Sequence, residues 1–307
     1  MHPNRNYAEM GIVTRDGTRQ GAELGRAAAG RLAAVPEELA AKAARENFPV
    51  ALRLLPARRR EQLMAVYWFA RVTDDIGDRS PQPDRLRLLD ELEADLGRLA
   101  DGTPRRDEVR ALGPVVAECG VPVGLFADLI QANRQDQVVS RYPAFADLVG
   151  YCKLSADPVG RIVLYVFGAF TPAAAARSDK VCTALQLIEH WQDVAEDFAA
   201  GRIYLPQDDL ARFGCTEADL AQAHASPRLR ALIAFESARA RDLLGAGAPL
   251  VGTLHGSARA AVAGFVAGGR AALAAITAAD YDVLGATPRP RRSRLVAELV
   301  RTFVRGR

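Results

Sequence analysis

From about residue 36 onward this chain shows no sustained alternation of polar and apolar residues, and its apolar residues recur every three or four positions instead. Leu86, Leu89, Leu92, Leu96 and Leu99 fall on one such stripe, one face of a 3.6-residue period. A chain written this way has helix faces to bury and no strand faces, so the expected fold class is all-α. Proline and glycine divide it into helices expected over 37–46, 57–73, 83–100, 122–134, 145–155, 158–170, 178–199, 227–244, 249–280 and 294–304. No fixed-period repeat points to a solenoid. The expected organisation is a polar, mobile extension over 1–36, one helical domain over 37–285, and a basic amphipathic tail over 286–307.

Several function classes are set aside by what is missing. The formal net charge is only +3, which gives no reason to expect a nucleic-acid partner. Cys119, Cys152, Cys182 and Cys215 stand far apart, with no Cys-x-x-Cys pair to suggest zinc or a disulfide framework. No Gly-x-Gly-x-x-Gly follows a strand, so a Rossmann-type nicotinamide site is not indicated. The N-terminus lacks a secretory pattern, and the longest apolar run, 162–176, is interrupted by Gly168 and Pro172 and falls short of the ~20 residues a membrane span needs. A cytoplasmic protein is the expectation.

Two acidic clusters stand out. Asp74 and Asp78 share one helix face, and Glu189, Asp193 and Asp197 form a stripe at i, i+4 and i+8. Like charges at this spacing disfavour an isolated helix. The flanking residues are apolar: Ala65, Val66, Phe69 and Ile76 around the first cluster, Leu185, Leu187, Ile188 and Trp191 around the second. Carboxylates in that setting would be pushed toward protonation unless a cation neutralised them. Mg²⁺ fits, because it takes oxygen ligands and prefers a few carboxylates plus substrate phosphate oxygens. A single Asp-x-x-x-Asp is commonly just a solvated helix face; two in apolar company carry more weight. Arg71 lies on the Asp74 face, placed to pair with a diphosphate or with the aspartates. After the second cluster, Gly201-Arg202-Ile203-Tyr204-Leu205-Pro206 reads either as a helix stop with a hydrophobic turn or as the mouth of a site where Arg202 and Tyr204 bind diphosphate oxygens. Arg134 and Asp136 make a further polar knot, structural or catalytic.

These residues resemble the squalene/phytoene synthase family from about residue 46 to 210. Asn47-Phe48-Pro49-Val50 is similar to the family's opening segment, and Arg71-x-x-Asp74-Asp75-x-x-Asp78 to its first aspartate motif. Tyr151-Cys152 followed by Ser155-x-x-Pro158-Val159-Gly160 resembles its central helix, and Asp193-Val194-Ala195-Glu196-Asp197 with the Gly201–Pro206 block resembles its second motif. Within the family the wording is most similar to the hydroxysqualene synthases of bacterial hopanoid biosynthesis. Members that join two prenyl diphosphates usually carry Asn where this chain has Glu189 and Arg where it has Gln192, and Asp157 stands where Asn or Gly is usual.

The resemblance implies a single-domain class I isoprenoid synthase bundle with a central cavity. It implies that Asp74, Asp78, Asp193 and Asp197 act with Mg²⁺, with Glu189 as a further metal ligand. Asn47, Phe48, Tyr67, Arg71, Arg134, Gln192, Arg202 and Tyr204 would then contact substrate, with Trp191 a further aromatic candidate for the tunnel wall. The implied reaction ionises presqualene diphosphate and captures the cation with water, giving hydroxysqualene and diphosphate. The alternatives are a head-to-head prenyltransferase making presqualene diphosphate, squalene or phytoene, and a non-catalytic assembly module.

The tail over 288–307 holds seven arginines against one acid, Glu298, with Leu295, Val296, Leu299, Val300, Phe303 and Val304 at helical spacing. It reads either as a final helix packed on the core or as a helix resting on an anionic membrane, at the inner face of the cell membrane.

Overall fold

The structure, a computed structural model, describes residues 55–305; the expected 1–36 extension, the 37–46 helix, and Asn47 and Phe48 lie outside the described residues. The described residues are helical throughout, with one isolated bridge between Arg141 and Ile203. The chain runs through α1 (Ala57–Arg79), α2 (Arg85–Gly97), α3 (Asp107–Cys119), α4 (Gly124–Gln135), α5 (Phe145–Ser155), α6 (Asp157–Val166) and α7 (Pro172–Gln192). It continues through α8 (Val194–Ala199), α9 (Gln207–Arg212), α10 (Glu217–Leu220), α11 (Pro227–Gly247), α12 (Leu250–Thr253), α13 (Gly256–Ala278) and α14 (Arg292–Arg305). The all-α expectation holds.

Boundaries differ from expectation where side-chain partners override local signals. Helix α1 runs six residues past the expected end at 73, through the acidic cluster, because cations neutralise it: Asp75 pairs with Arg71 at 2.8 Å and with Arg79 at 3.3 Å. The single helix expected over 178–199 is two, broken at Asp193 (φ −104°, ψ 18°), where the acidic stripe makes continuation least favourable. Helix α3 has no counterpart among the expected helices. Pro114 sits inside it, and burial of Val109, Leu112 and Val115 holds the turn that the missing N–H weakens. Helix α11 begins at Pro227 as expected, whereas α7 begins at Pro172, six residues before the expected start at 178. Each has Pro at the first position and a hydroxyl cap: Thr171 Oγ1 accepts from Ala174 N at 3.0 Å, and Ser226 Oγ from Leu229 N at 3.3 Å.

Two apolar clusters fill the bundle. One gathers Phe69, Leu89, Leu112 and Phe126 from α1 to α4; the other gathers Leu187, Trp191, Leu232 and Val266 from α7, α11 and α13. Helix α6 lies between them, giving Ile162 and Val163 to the first and Leu164 to the second. Helix α13 is apolar and long enough to cross a bilayer, yet much of it is core, with Ala263, Val266, Ala267 and Ile276 buried.

The second half also buries an acid pair. Glu236 on α11 is fully buried and Asp209 on α9 nearly so, and both contact Arg239. Burial, opposed by Arg239 and reinforced by Asp209, pushes Glu236 up to about 8. A folded-state value above the unfolded one means the native protein holds this proton more tightly. Stability should therefore fall as pH rises from about 4.5 to about 8, and be constant above that. Glu236→Gln removes that loss. Compared at about pH 5 and about pH 9, the stability difference between variant and parent should move in the variant's favour by a few kcal/mol at most, about 1.4 per pH unit titrated. Parallel thermal-unfolding curves at both pH values would show that Glu236 is ionised throughout.

Candidate active site

The first acidic wall comes from α1. Asp74 is open to solvent by area but sits in a concavity with protein on most sides, and that enclosure raises its pKa to about 6. A hydrogen bond from Asn133 and the nearby charge of Arg71 oppose the shift; Asp78 and Glu189 add to it. Asn133 Nδ2 donates to Asp74 Oδ1 at 3.1 Å from α4. Gly77 leaves room for this approach: an added Cβ would lie 2.3 Å from Asn133 Oδ1, so the Asn133 side chain would have to shift. Asp78 accepts from Arg202 Nη1 at 2.8 Å.

The second wall comes from the end of α7 and from α8. Partial burial raises Asp193 to about 6, with Glu189, Glu196 and Asp197 adding repulsion. Because Glu189 acts on both Asp74 and Asp193, the two walls face one space. Glu189 also lines a cavity of about 190 Å³ whose other walls are largely apolar, including Val159, Val163, Val181, Leu185 and Phe265. Glu189 thus belongs both to the acidic cluster and to the wall of a largely apolar chamber.

Behind the walls lies a polar network. Asp136 accepts from Tyr151 Oη at 2.7 Å and from Tyr204 Oη at 3.1 Å. Burial raises the Asp136 carboxyl, and these two bonds and Arg202 hold it back. The Tyr204 ring stacks on His190 with centroids 3.7 Å apart, and His190 Nδ1 lies 3.6 Å from Asp197 Oδ2. Arg202 and Tyr204, two residues apart on an extended stretch, thereby tie the first wall to the second.

Of the residues singled out in the sequence, Asp74, Asp78, Glu189, Asp193, Asp197, Arg202 and Tyr204 belong to this assembly, and Arg71 reaches Asp75 beside it. Arg134 does not. It forms ion pairs with Asp90 at 2.6 Å and Glu93 at 2.7 Å on α2. The Gln192 amide is taken by the carbonyl of Pro288, on the segment leading to α14. Trp191 is fully buried in the second apolar cluster and is not among the cavity-lining residues. Tyr67 is half-buried on α1. Asn133, Tyr151 and His190 had not been singled out as site residues. A Gly three positions after Asp74, set against a polar run 54 to 59 positions on, is too faint a signal to have found Asn133.

Among the described residues no three acidic, histidine or cysteine groups converge into a closed metal cage. Carboxylates raised by burial and, further, by one another on two facing walls match a different arrangement: a hard cation held by one or two carboxylates with its remaining positions on water and substrate phosphate, as Mg²⁺ prefers. The donor set fits Mg²⁺ on that ground.

The squalene/phytoene synthase family profile matches residues 41–296. A hydroxysqualene synthase of Rhodopseudomonas palustris is 37% identical over 208 residues, 67% of this chain and 70% of its own length. A phytoene synthase of Mycobacterium bovis is 34% identical over 222 residues, 71% of this chain and 72% of its own. The crystal structure of the squalene synthase HpnC from Alicyclobacillus acidocaldarius superposes with a TM-score of 0.73 at 39% identity, covering 80% of this chain and 97% of that one.

Proposed function

The chain belongs to the squalene/phytoene synthase family, enzymes acting on prenyl diphosphates, and from that premise we propose that it converts presqualene diphosphate and water to hydroxysqualene and diphosphate with Mg²⁺. The observation that carries this reading is the union of two carboxylate walls with one apolar chamber, through Glu189. Such a site separates a charged leaving group from the hydrocarbon it leaves.

Asp74, Asp78, Asp193 and Asp197, with Glu189, would hold Mg²⁺, which when bound supplies the positive charge that stabilises diphosphate as a leaving group. The residues of the chain do the rest. Arg202, held by Asp78, and Arg71, held by Asp75, are fixed cations at the diphosphate end; the Nε of each is buried and without a partner. The apolar wall accommodates the hydrocarbon and keeps bulk water from the cation formed when the C–O bond breaks. Ring opening gives an allylic cation. One water adds its oxygen there and loses a proton to solvent, and diphosphate departs.

Likeness to hydroxysqualene synthases supports this choice, as do the two positions where this chain lacks the residues usual in joining enzymes. Glu189 adds negative charge at the diphosphate end, and Gln192 supplies no cation there. A head-to-head joining activity is the second reading, favoured by the likeness to phytoene synthase. Separate incubations of the protein and Mg²⁺ with presqualene diphosphate and with farnesyl diphosphate, read by mass spectrometry, decide between them. The expected outcome is hydroxysqualene from the first and no longer product from the second. A C30 product from farnesyl diphosphate would replace this reading with the second.

A further inference from the structure

Helix α14 has three distinct faces. Glu298 and Thr302 are buried against α13, with Leu299 packed on the core beside them, and Arg270 of α13 donates to Thr302 Oγ1 at 2.9 Å. Arg259 of α13 donates to the carbonyl of Phe303 at 2.8 Å and lies over its ring. The helix is therefore fixed to the body, as the first reading of the tail expected. Packing nevertheless leaves a second apolar face uncovered: Val296, Val300, Phe303 and Val304 are 59%, 58%, 44% and 77% exposed. Their spacing of four, three and one gathers them on one side of the helix. On the third side Arg294 and Arg301 both pair with Glu298 at 3.3 Å, and this is the only acid on the helix. Arg289, Arg291 and Arg292 precede and open the helix, exposed and without an ion pair among the described residues.

We infer that α14 docks the protein onto an anionic lipid surface, with Val296, Val300, Phe303 and Val304 entering the headgroup boundary and the flanking arginines meeting lipid phosphates. Charge complementarity selects this occupant. A stripe meant for a protein core would not be bordered by unneutralised arginines, whereas an interfacial helix gains from both its apolar face and its cations. Arginine stems can also lie along the apolar boundary while their heads reach the phosphates. The inference does not depend on which reaction the site runs.

The test is co-sedimentation of the full chain with vesicles of phosphatidylcholine alone or mixed with phosphatidylglycerol. Binding is expected to the mixed vesicles only, and to weaken with salt. V300S/V304S should weaken it roughly tenfold, as should R291Q/R292Q. Val300 and Val304 are largely exposed, so the melting temperature should hold and serve as the fold control. Protein left in the supernatant with mixed vesicles overturns the inference, as does undiminished binding by V300S/V304S. So does a dimer in sedimentation velocity that V300S/V304S dissolves, which would assign the stripe to a second copy of the chain.

Discussion

Asp193→Asn is expected to lower diphosphate release roughly a thousandfold, the size of several kcal/mol of lost charge stabilisation, while leaving the fold intact. The two halves of that expectation have separate causes. Burial, with added repulsion from Glu189, Glu196 and Asp197, pushes Asp193 up to about 6. Its charge is thus a cost to the folded protein that is worthwhile only if a cation uses it. Replacing it with Asn removes the cost and the ligand together. The melting temperature near neutral pH should be equal to or above that of the parent, since an acid raised in the folded state loses stability as pH climbs past its unfolded value. Mg²⁺ with inorganic diphosphate should stabilise the parent against heat and fail to stabilise the variant. Near-normal turnover by Asp193→Asn would remove this residue from the mechanism. A melting temperature well below the parent's would mean that Asp193 holds the α7–α8 break together instead.

What could be read from the sequence was what local period carries. Asp74 and Asp78 lie one helical turn apart on α1, so their shared face follows from spacing alone. The stripe 86–99 gave α2 for the same reason. Contacts between elements leave no such trace. The run 133–136 shows why: at about 100° per residue on α4, Asn133 faces α1, Arg134 faces α2 and Asp136 meets Tyr151 and Tyr204. Read as one polar knot, structural or catalytic, these residues looked like a single feature. Their separation into three roles depends on which helix stands on each side. The break at Asp193 and the helix through Pro114 were hidden likewise, because repulsion and burial outweighed the local signals there.

Gly247→Ala should be the most damaging small substitution in the described residues away from the carboxylates, lowering the melting temperature by about 5–10 °C. Ala is the better helix former by about 1 kcal/mol, so propensity alone favours the change. Packing reverses the sign. A Cβ at Gly247, at the end of α11, would stand 2.7 Å from the carbonyl oxygen of Arg177, 2.9 Å from the amide nitrogen of Val181 and 2.7 Å from its Cγ2. Two of these are backbone atoms of α7, which cannot swing aside as a side chain can. The helices must separate, at the roughly 1–3 kcal/mol or more typical of overpacking. Helix α7 also carries Leu185 and Glu189 of the chamber, so turnover should fall along with stability. Gly245→Ala is the control two residues earlier: its Cβ would meet nothing within 4 Å, leaving only the gain in helix propensity. Thermal unfolding of the pair isolates the close approach of α7 and α11. If both variants melt together, at or above the parent, these helices do not pack as closely as described, and the chamber wall is not set by the glycine.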